Sequence, residues 1–359
     1  MLMEQLSKKM FHMKIKQKIT QPKLTMINSL LIDGESLLKQ GFHGTKQVQN
    51  EFGSVGTIYH FIQTIKRFYA EYYVTKIVVF WEGEDSKSYR QGFYKHYKTN
   101  RNSQYTEDQI YDLGRQRVRI KQYLEELFIR QVEVARCEAD DSIAHYVVSS
   151  EGEQKIIYTA DRDLLQLINS ETKVFLSDKR LMVTDKNFSE HFDYHRGNVG
   201  LIKIIAGDQS DNISGLMGIG EGTVLKFFPE IKTEKKTVEW VIERSKELLI
   251  EKPKSNQLQT IVEGKTKWGS MGMDYWTVMN TIINLENPHV TDEMKTTIEE
   301  TVNDALDPEG RGGVNAVMRM IVEDNILNLF PKNDNAYLDF WQPFMVIITK
   351  ETNFFKKQI

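Results

Sequence analysis

The chain has 359 residues, 40% of them hydrophobic and 27% charged, with a formal net charge of −3. That balance suits an ordinary globular protein, and the single cysteine, Cys137, excludes a disulfide framework and a cysteine zinc site. No run approaches the roughly 20 apolar residues of a membrane span, and the Lys-rich start lacks a signal-peptide core, so a cytoplasmic location is expected.

Residues 1–27 read as a basic N-terminal extension. From there, short apolar runs alternate with helical patterns. SLLI at 29–32 runs into Asp33 and Gly34, and apolar residues at helical spacing cover 55–73. KIVVFW at 76–81 runs into Glu82 and Gly83, and a second helical pattern spans 107–128. QVEVARC at 131–137 leads into Glu138, and KIIYT at 155–159 leads into Ala160 and Asp161. Short, continuously apolar runs bounded by turn residues suit strands buried on both faces. Their alternation with helices predicts an α/β fold with a mostly parallel central sheet and helices on both faces. Beyond Pro229 the pattern changes: 232–254 is charged and helical, and 265–359 is helix-like without strand alternation. The expected division is an α/β domain over 28–230 and a mainly helical C-terminal region over 231–359.

In such sheets ligands collect outside the carboxyl ends of the strands. Each of the four apolar runs delivers an acidic residue there. The candidate set is Asp33, Glu82, Glu138, Asp140, Asp141, Asp161, Asp163, Asp208 and Asp211. Singly, each is one of 50 acidic residues and is explained by a solvated surface or, for Asp140 and Asp141 and again for Asp161 and Asp163, by the start of the helix expected to follow. Together they are harder to dismiss, because two like charges ~4 Å apart repel by roughly 4 kcal/mol at an effective dielectric near 20. Convergence is tolerable when cations neutralise it. Mg²⁺ takes such oxygen ligands, and two ions about 3.5–4 Å apart can hold the attacking and leaving oxygens of a phosphoryl displacement. Zinc fits worse: His191 and His195 are four apart, but no Glu follows His191 as in the HExxH motif.

Residues 86–101 (SKSYRQGFYKHYKTNR) carry Lys87, Arg90, Lys95, Lys98 and Arg101 among Tyr89, Phe93, Tyr94 and Tyr97, with no acid. A solvated amphipathic helix explains this pattern, and so does an arm whose cations hold phosphates while its aromatic faces accept bases. Further on, Gly218-Ile219-Gly220 precedes an apolar helical stretch at 224–228. It is either a plain tight turn or one whose open backbone meets a phosphate. Its spacing is not GxGxxG, and no Walker A loop is present.

Six motifs in order, LIDG (Asp33), YKTNR, EADD (Glu138, Asp140, Asp141), TADRD (Asp161, Asp163), GDQSDN (Asp208, Asp211) and GIGEGT, resemble the 5′-nuclease family over about residues 28–230. That family includes flap endonucleases, the 5′-nuclease domain of bacterial DNA polymerase I and phage ribonuclease H proteins. One departure stands out: the family has Phe-Asp after its second strand, and this chain has Phe80-Trp81-Glu82. Counting back eight residues from Arg90 puts Glu82 at the aspartate's place, with Trp81 as the competing alignment.

The resemblance implies a PIN-like 5′-nuclease fold with a helix-turn-helix-type DNA-binding element at about 207–228. It implies two Mg²⁺ ions, with Mn²⁺ as a substitute, and K⁺ at the DNA-binding turn. Asp33, Glu82, Glu138 and Asp140 are assigned to one ion and Asp161, Asp163 and Asp211 to the other, with Asp141 and Asp208 acting at one remove. Lys98, Arg101 and Arg90 are the expected catalytic cations. Gly215, Gly218, Ile219, Gly220, Lys226, Tyr97 and Lys95 are the expected DNA contacts. The implied activity is 5′-to-3′ exonuclease or flap endonuclease action on DNA or RNA–DNA hybrids, by a monomer, in primer removal, replication or repair. A single-strand-binding protein or sliding clamp is the expected partner, and a phage source would place the protein in the host cytoplasm. Two readings compete. A PIN-type ribonuclease shares the acidic crevice but lacks the glycine-rich turn. A non-catalytic branched-DNA-binding protein of the same fold would be expected to have lost several of the nine carboxylates.

Overall fold

The computed structural model describes residues 29–45, 48–50, 53–100 and 105–358. The basic extension and Arg101 lie outside the described residues. Six strands form the main sheet: β1 (Ser29–Asp33), β2 (Lys76–Trp81), β3 (Arg130–Glu133), β4 (Lys155–Thr159), β5 (Thr172–Leu176) and β6 (Leu181–Val183). Their order is β3-β2-β1-β4-β5-β6, and every neighbouring pair is parallel except β5 with β6. The chain therefore builds outward from β1 on one side, then returns to build on the other. That reversal leaves a crevice at the carboxyl ends of β1 and β4, where open α/β sheets bind ligands.

Successive strand residues point to opposite faces. Leu30, Ile32, Ile77, Val79, Trp81, Ile156 and Tyr158 enter one core, while Leu31, Val78, Phe80 and Ile157 enter another. Both faces are covered, which is why the sequence runs are continuous rather than alternating. Helices α1 (Gly34–Gly44), α2 (Gly56–Tyr72) and α4 (Glu107–Glu126) pack on the first face, with α3 (Ser86–Phe93) leading from β2 toward α4. A capping box between Thr106 and Gln109 starts α4. Helix α5 (Ala139–Ser149) covers the second face.

A third core gathers α6 (Val199–Ala206), α7 (Glu221–Phe227), α8 (Val238–Glu251), α9 (Asn256–Glu263) and α10 (Met273–Ile283), together with Tyr94 and Tyr97. The last helices return to the sheet. Ile298 and Val302 of α11 (Asp292–Asn303) join the α5 side. Val317 and Ile321 of α12 (Gly313–Glu323), with Trp341 and Phe344 of α13 (Asp334–Gln358), join the α2 side. Arg130 of β3 fastens this return, donating to the carbonyls of Val302 (2.7 Å) and Asp304 (2.9 Å) and pairing with Glu351 at 2.6 Å. The change of pattern near 230 thus marks a change in packing role, and residues beyond it enter all three cores.

Two local expectations need correction. The 131–137 run is extended only to Glu133; the chain then leaves the sheet, with Arg136 at φ +62°, and Glu138 becomes the N-cap of α5. The helix expected after Asp161 is a single 3-10 turn, Asp163–Leu167. No helix among the described residues is long and apolar enough to cross a membrane.

Candidate active site

Asp33 ends β1 and caps α1, accepting from the Ser36 amide at 3.0 Å. Its other oxygen accepts from the Ser36 hydroxyl and, at 2.8 Å, from Thr159 at the end of β4. Capping thus orients the carboxylate at the crevice, so the structural and functional readings of this residue coincide. On the neighbouring strand Trp81 points away. It is fully buried, stacks on Phe61 with centroids 5.8 Å apart, and donates from Nε1 to Gln131 at 3.1 Å. Glu82 follows it and lines a cavity of about 580 Å³ with Glu138 and Lys98. Gly83 makes this possible: a Cβ there would meet the Val134 carbonyl oxygen at 1.7 Å, and its amide donates to Cys137 O at 3.0 Å. Of the two residues competing for the strand-end position, Glu82 is the one in the crevice.

Glu138 leaves its capping role to the backbone and turns toward residues 90–98. It accepts from the Tyr97 hydroxyl and from Lys98 Nζ, each at 2.8 Å, with Arg90 Nε 3.5 Å away. Burial opposes the charge, but Lys98 and Arg90 outweigh it and hold the Glu138 carboxyl below its usual range. Glu82 has less support: burial first, then Glu138 and Asp33 against Lys98, pushes its carboxyl up to about 7. Burial and the charges of Asp161, Asp33 and Glu82 push Asp140 well up too. Asp141 turns inward to an ion pair with Arg90, which also donates to the Ile282 carbonyl. Arg90, expected as a catalytic cation, is therefore a buried strut joining α3, α5 and α10.

The second group lies on the β4 side. The Asp161 amide donates to Thr159 Oγ1 at 2.9 Å, and its side chain accepts from the Asp163 amide at 2.8 Å. Asp163, Asp208 and Asp211 each bring a carboxylate oxygen within 4.8 Å of the others. Asp208, expected at one remove, stands in this triad. Lys203 of α6 sits among them, paired with Asp163 and, at 2.5 Å, with Asp208. Burial, then Asp161, against Lys203, pushes the Asp163 carboxyl up to about 7. Burial also raises Asp161, while Lys203 and Ser210 overcome burial to lower Asp208. Despite burial, these carboxylates raise Lys203. Lys203 was missed from the sequence. The available signal was a lone cation in the apolar run VGLIKIIA, five residues before Asp208.

The donor chemistry suits a hard divalent cation, since the crevice offers carboxylate oxygens and the one cysteine is buried. His195 is occupied locally, its Nδ1 accepting from the Gly197 amide at 3.2 Å.

The expected arm is only partly exposed. Tyr97, expected to face a base, is 2% exposed and spends its hydroxyl on Glu138. Lys98, at φ +52°, turns inward to the crevice, whereas Lys95 is exposed. At the glycine-rich turn, Gly218 has φ +75° and open space where a Cβ would stand, and Gly220 and Lys226 are exposed. Ile219 is buried in the third core, and Gly215 is half-buried with its backbone against Ala206.

The model of the 5′-3′ exonuclease N-terminal, resolvase-like domain matches residues 28–193. A 5′-3′ exonuclease of Halalkalibacterium halodurans is 31% identical over 217 residues, covering 57% of this chain and 70% of that enzyme. One of Bacillus subtilis is 32% identical over 219 residues, with 57% and 70% covered. Among solved structures, the bacteriophage T5 D15 flap endonuclease in a pseudo-enzyme-product complex with DNA and metal ions superposes with a TM-score of 0.55. It covers 82% of this chain and 98% of that one at 18% identity, which establishes a shared fold. On the identity to the two exonucleases and the share of their length it spans, this chain belongs to the 5′-3′ exonuclease family of nucleases.

Proposed function

We propose that the chain is a divalent-metal-dependent 5′ nuclease that hydrolyses phosphodiester bonds near 5′ ends, at DNA flaps and in RNA–DNA hybrids, with Mg²⁺ as its cation and Mn²⁺ as a substitute. The carrying observation is the gathering of the carboxylates into two neighbouring groups at the carboxyl ends of β1 and β4, with Lys98 and Lys203 among them. The DNA and metal ions in the T5 flap endonuclease complex are ligands of the same class.

Asp33, Glu82, Glu138 and Asp140 would hold one cation and Asp161, Asp163, Asp208 and Asp211 the other; bound there, the pair supplies charge neutralisation and water activation for an in-line displacement. The chain's own groups do the rest. Ser36 and Thr159 aim Asp33, and Tyr97 and Lys98 aim Glu138. Lys98 is the cation that donates to phosphate oxygens as charge grows on them. Asp141 serves at one remove, through Arg90. The exposed Gly218, Gly220 and Lys226 lie on a surface suited to the paired strand. The products expected of this chemistry are a 5′-phosphate and a 3′-hydroxyl.

The test is cleavage of a 5′-labelled flap duplex beside a nicked RNA–DNA hybrid, with Mg²⁺, with Mn²⁺ and with EDTA. Metal-dependent release of short 5′ products supports the proposal and ranks the substrates. Asp161→Asn is expected to abolish turnover while DNA binding persists. No cleavage with either metal, by protein that still binds the flap, would leave a branched-DNA-binding protein instead.

A further inference from the structure

A two-residue hairpin, Lys265–Thr266 paired with Gly269–Ser270, carries Lys267 and Trp268 at its tip. Its place is set by backbone bonds to the glycine-rich turn: the Met217 amide donates to Lys265 O at 2.9 Å, and Leu216 bridges to Thr266. Thr266 Oγ1 accepts from the Trp268 amide at 3.1 Å and donates to Gly269 O at 3.0 Å, which stiffens the tip. The Trp268 ring lies flat on His96, with centroids 4.2 Å apart and planes 10° apart. His96 is held in turn, its carbonyl accepting from Asn212 at 2.9 Å. The aromatic pair therefore joins the hairpin, itself bonded to the glycine-rich turn, to the residue just before the YKTNR segment. Two residues of chain span at most about 7 Å, so the platform stands close to Lys98 and the crevice.

In a core such a stack would be unremarkable packing. Here Trp268 is 51% exposed, and the Lys267 ammonium stands 4.7 Å over its ring. Lys95 and Lys265 are exposed nearby, and neither 94–100 nor 264–273 contains an acidic residue. A rigid, half-exposed aromatic face with cations around it complements a polyanion that also offers flat faces, which is unpaired nucleic acid. A paired duplex hides its bases and cannot use the ring.

We propose that the Trp268–His96 pair is a stacking platform for an unpaired base of the substrate beside the crevice, with Lys95, Lys265 and Lys267 on the adjoining phosphates. The identity of the substrate rests on the nuclease reading above.

The experiment uses the full chain with Trp268→Ala, Trp268→Phe and His96→Ala. Binding of a 5′-flap duplex and of the same duplex fully paired is measured by fluorescence anisotropy in EDTA. A fluorescent 2-aminopurine at the unpaired position next to the junction reports stacking directly. Loss of one base stack is expected to weaken flap binding by Trp268→Ala about 5- to 100-fold, with fully paired binding retained and the 2-aminopurine quench lost. Trp268→Phe is expected to restore most of both. Equal loss on flap and paired duplex would show a hairpin that merely braces the turn, and wild-type flap affinity would remove Trp268 from the interface; either overturns the proposal. Cleavage is followed in parallel. Trp268-dependent flap binding by wild-type protein that does not cut would sink the nuclease reading and keep the platform.

Discussion

Arg90→Met tests the strut directly. Arg90, Asp141 and Glu138 are 6%, 3% and 4% exposed, and the guanidinium donates to Asp141 and to Ile282 O while standing 3.5 Å from Glu138. Unit charges at that separation attract by about 5 kcal/mol at an effective dielectric near 20, and much of this is offset by desolvation of the guanidinium. Removing one partner is a different matter. Asp141 is then left buried beside Glu138, at a cost of about 3–5 kcal/mol, a large part of a typical stability of about 5–15 kcal/mol. Burial already raises the Asp141 carboxyl, and Arg90 is what opposes it. Without Arg90 the folded-state value rises further above the unfolded one. A raised carboxyl favours the folded state at low pH and loses that advantage as pH rises, so the deficit of Arg90→Met should be smaller near pH ~5 than near pH ~8. Urea denaturation at both pH values, reading the midpoint and the slope m, measures it. Arg90→Met with Asp141→Leu should recover part of the loss, because the orphaned charge goes too. A single variant within about 1 kcal/mol of wild type, with unchanged m, would refute the strut.

Lys98→Ala should slow cutting and lower the salt slope of DNA binding by about 1, as expected for one lost phosphate contact; an unchanged rate removes Lys98 from the chemistry. In EDTA, the carboxyls of Asp163 and Glu82, both raised to about 7, make the fold more stable at mildly acid than at alkaline pH. Thermal melts should show this trend, Asp163→Asn should flatten it, and Mg²⁺ should oppose it by binding the folded state. A pH trend identical in Asp163→Asn would discount that assignment. Gly218→Ala meets no clash but must hold φ +75°, a strain of about 1–2 kcal/mol, so duplex binding should fall with little loss of single-strand binding. Wild-type duplex affinity would take the turn out of the interface.

The sequence by itself determined four of the six strand runs, their order with the intervening helices and the carboxylates that follow them, because burial on both faces writes continuous apolar runs and sharp turn signals into local sequence. It also carried the motifs whose family the comparisons establish. Periodicity says which way a side chain points from its own element. It does not say what stands opposite. That is why counting residues favours Glu82 with Trp81 still in competition, and the structure puts Trp81 in the core and Glu82 in the crevice beside Glu138. Tyr97 and Arg90 read as an exposed arm because their spacing is amphipathic, yet the crevice carboxylates draw both inward. Lys203 and Asp208 meet Asp163, and Trp268 meets His96, across 40 residues or more of chain. Only the tertiary structure decided those encounters, because they arise where separate elements cross, and no local pattern records which ones will.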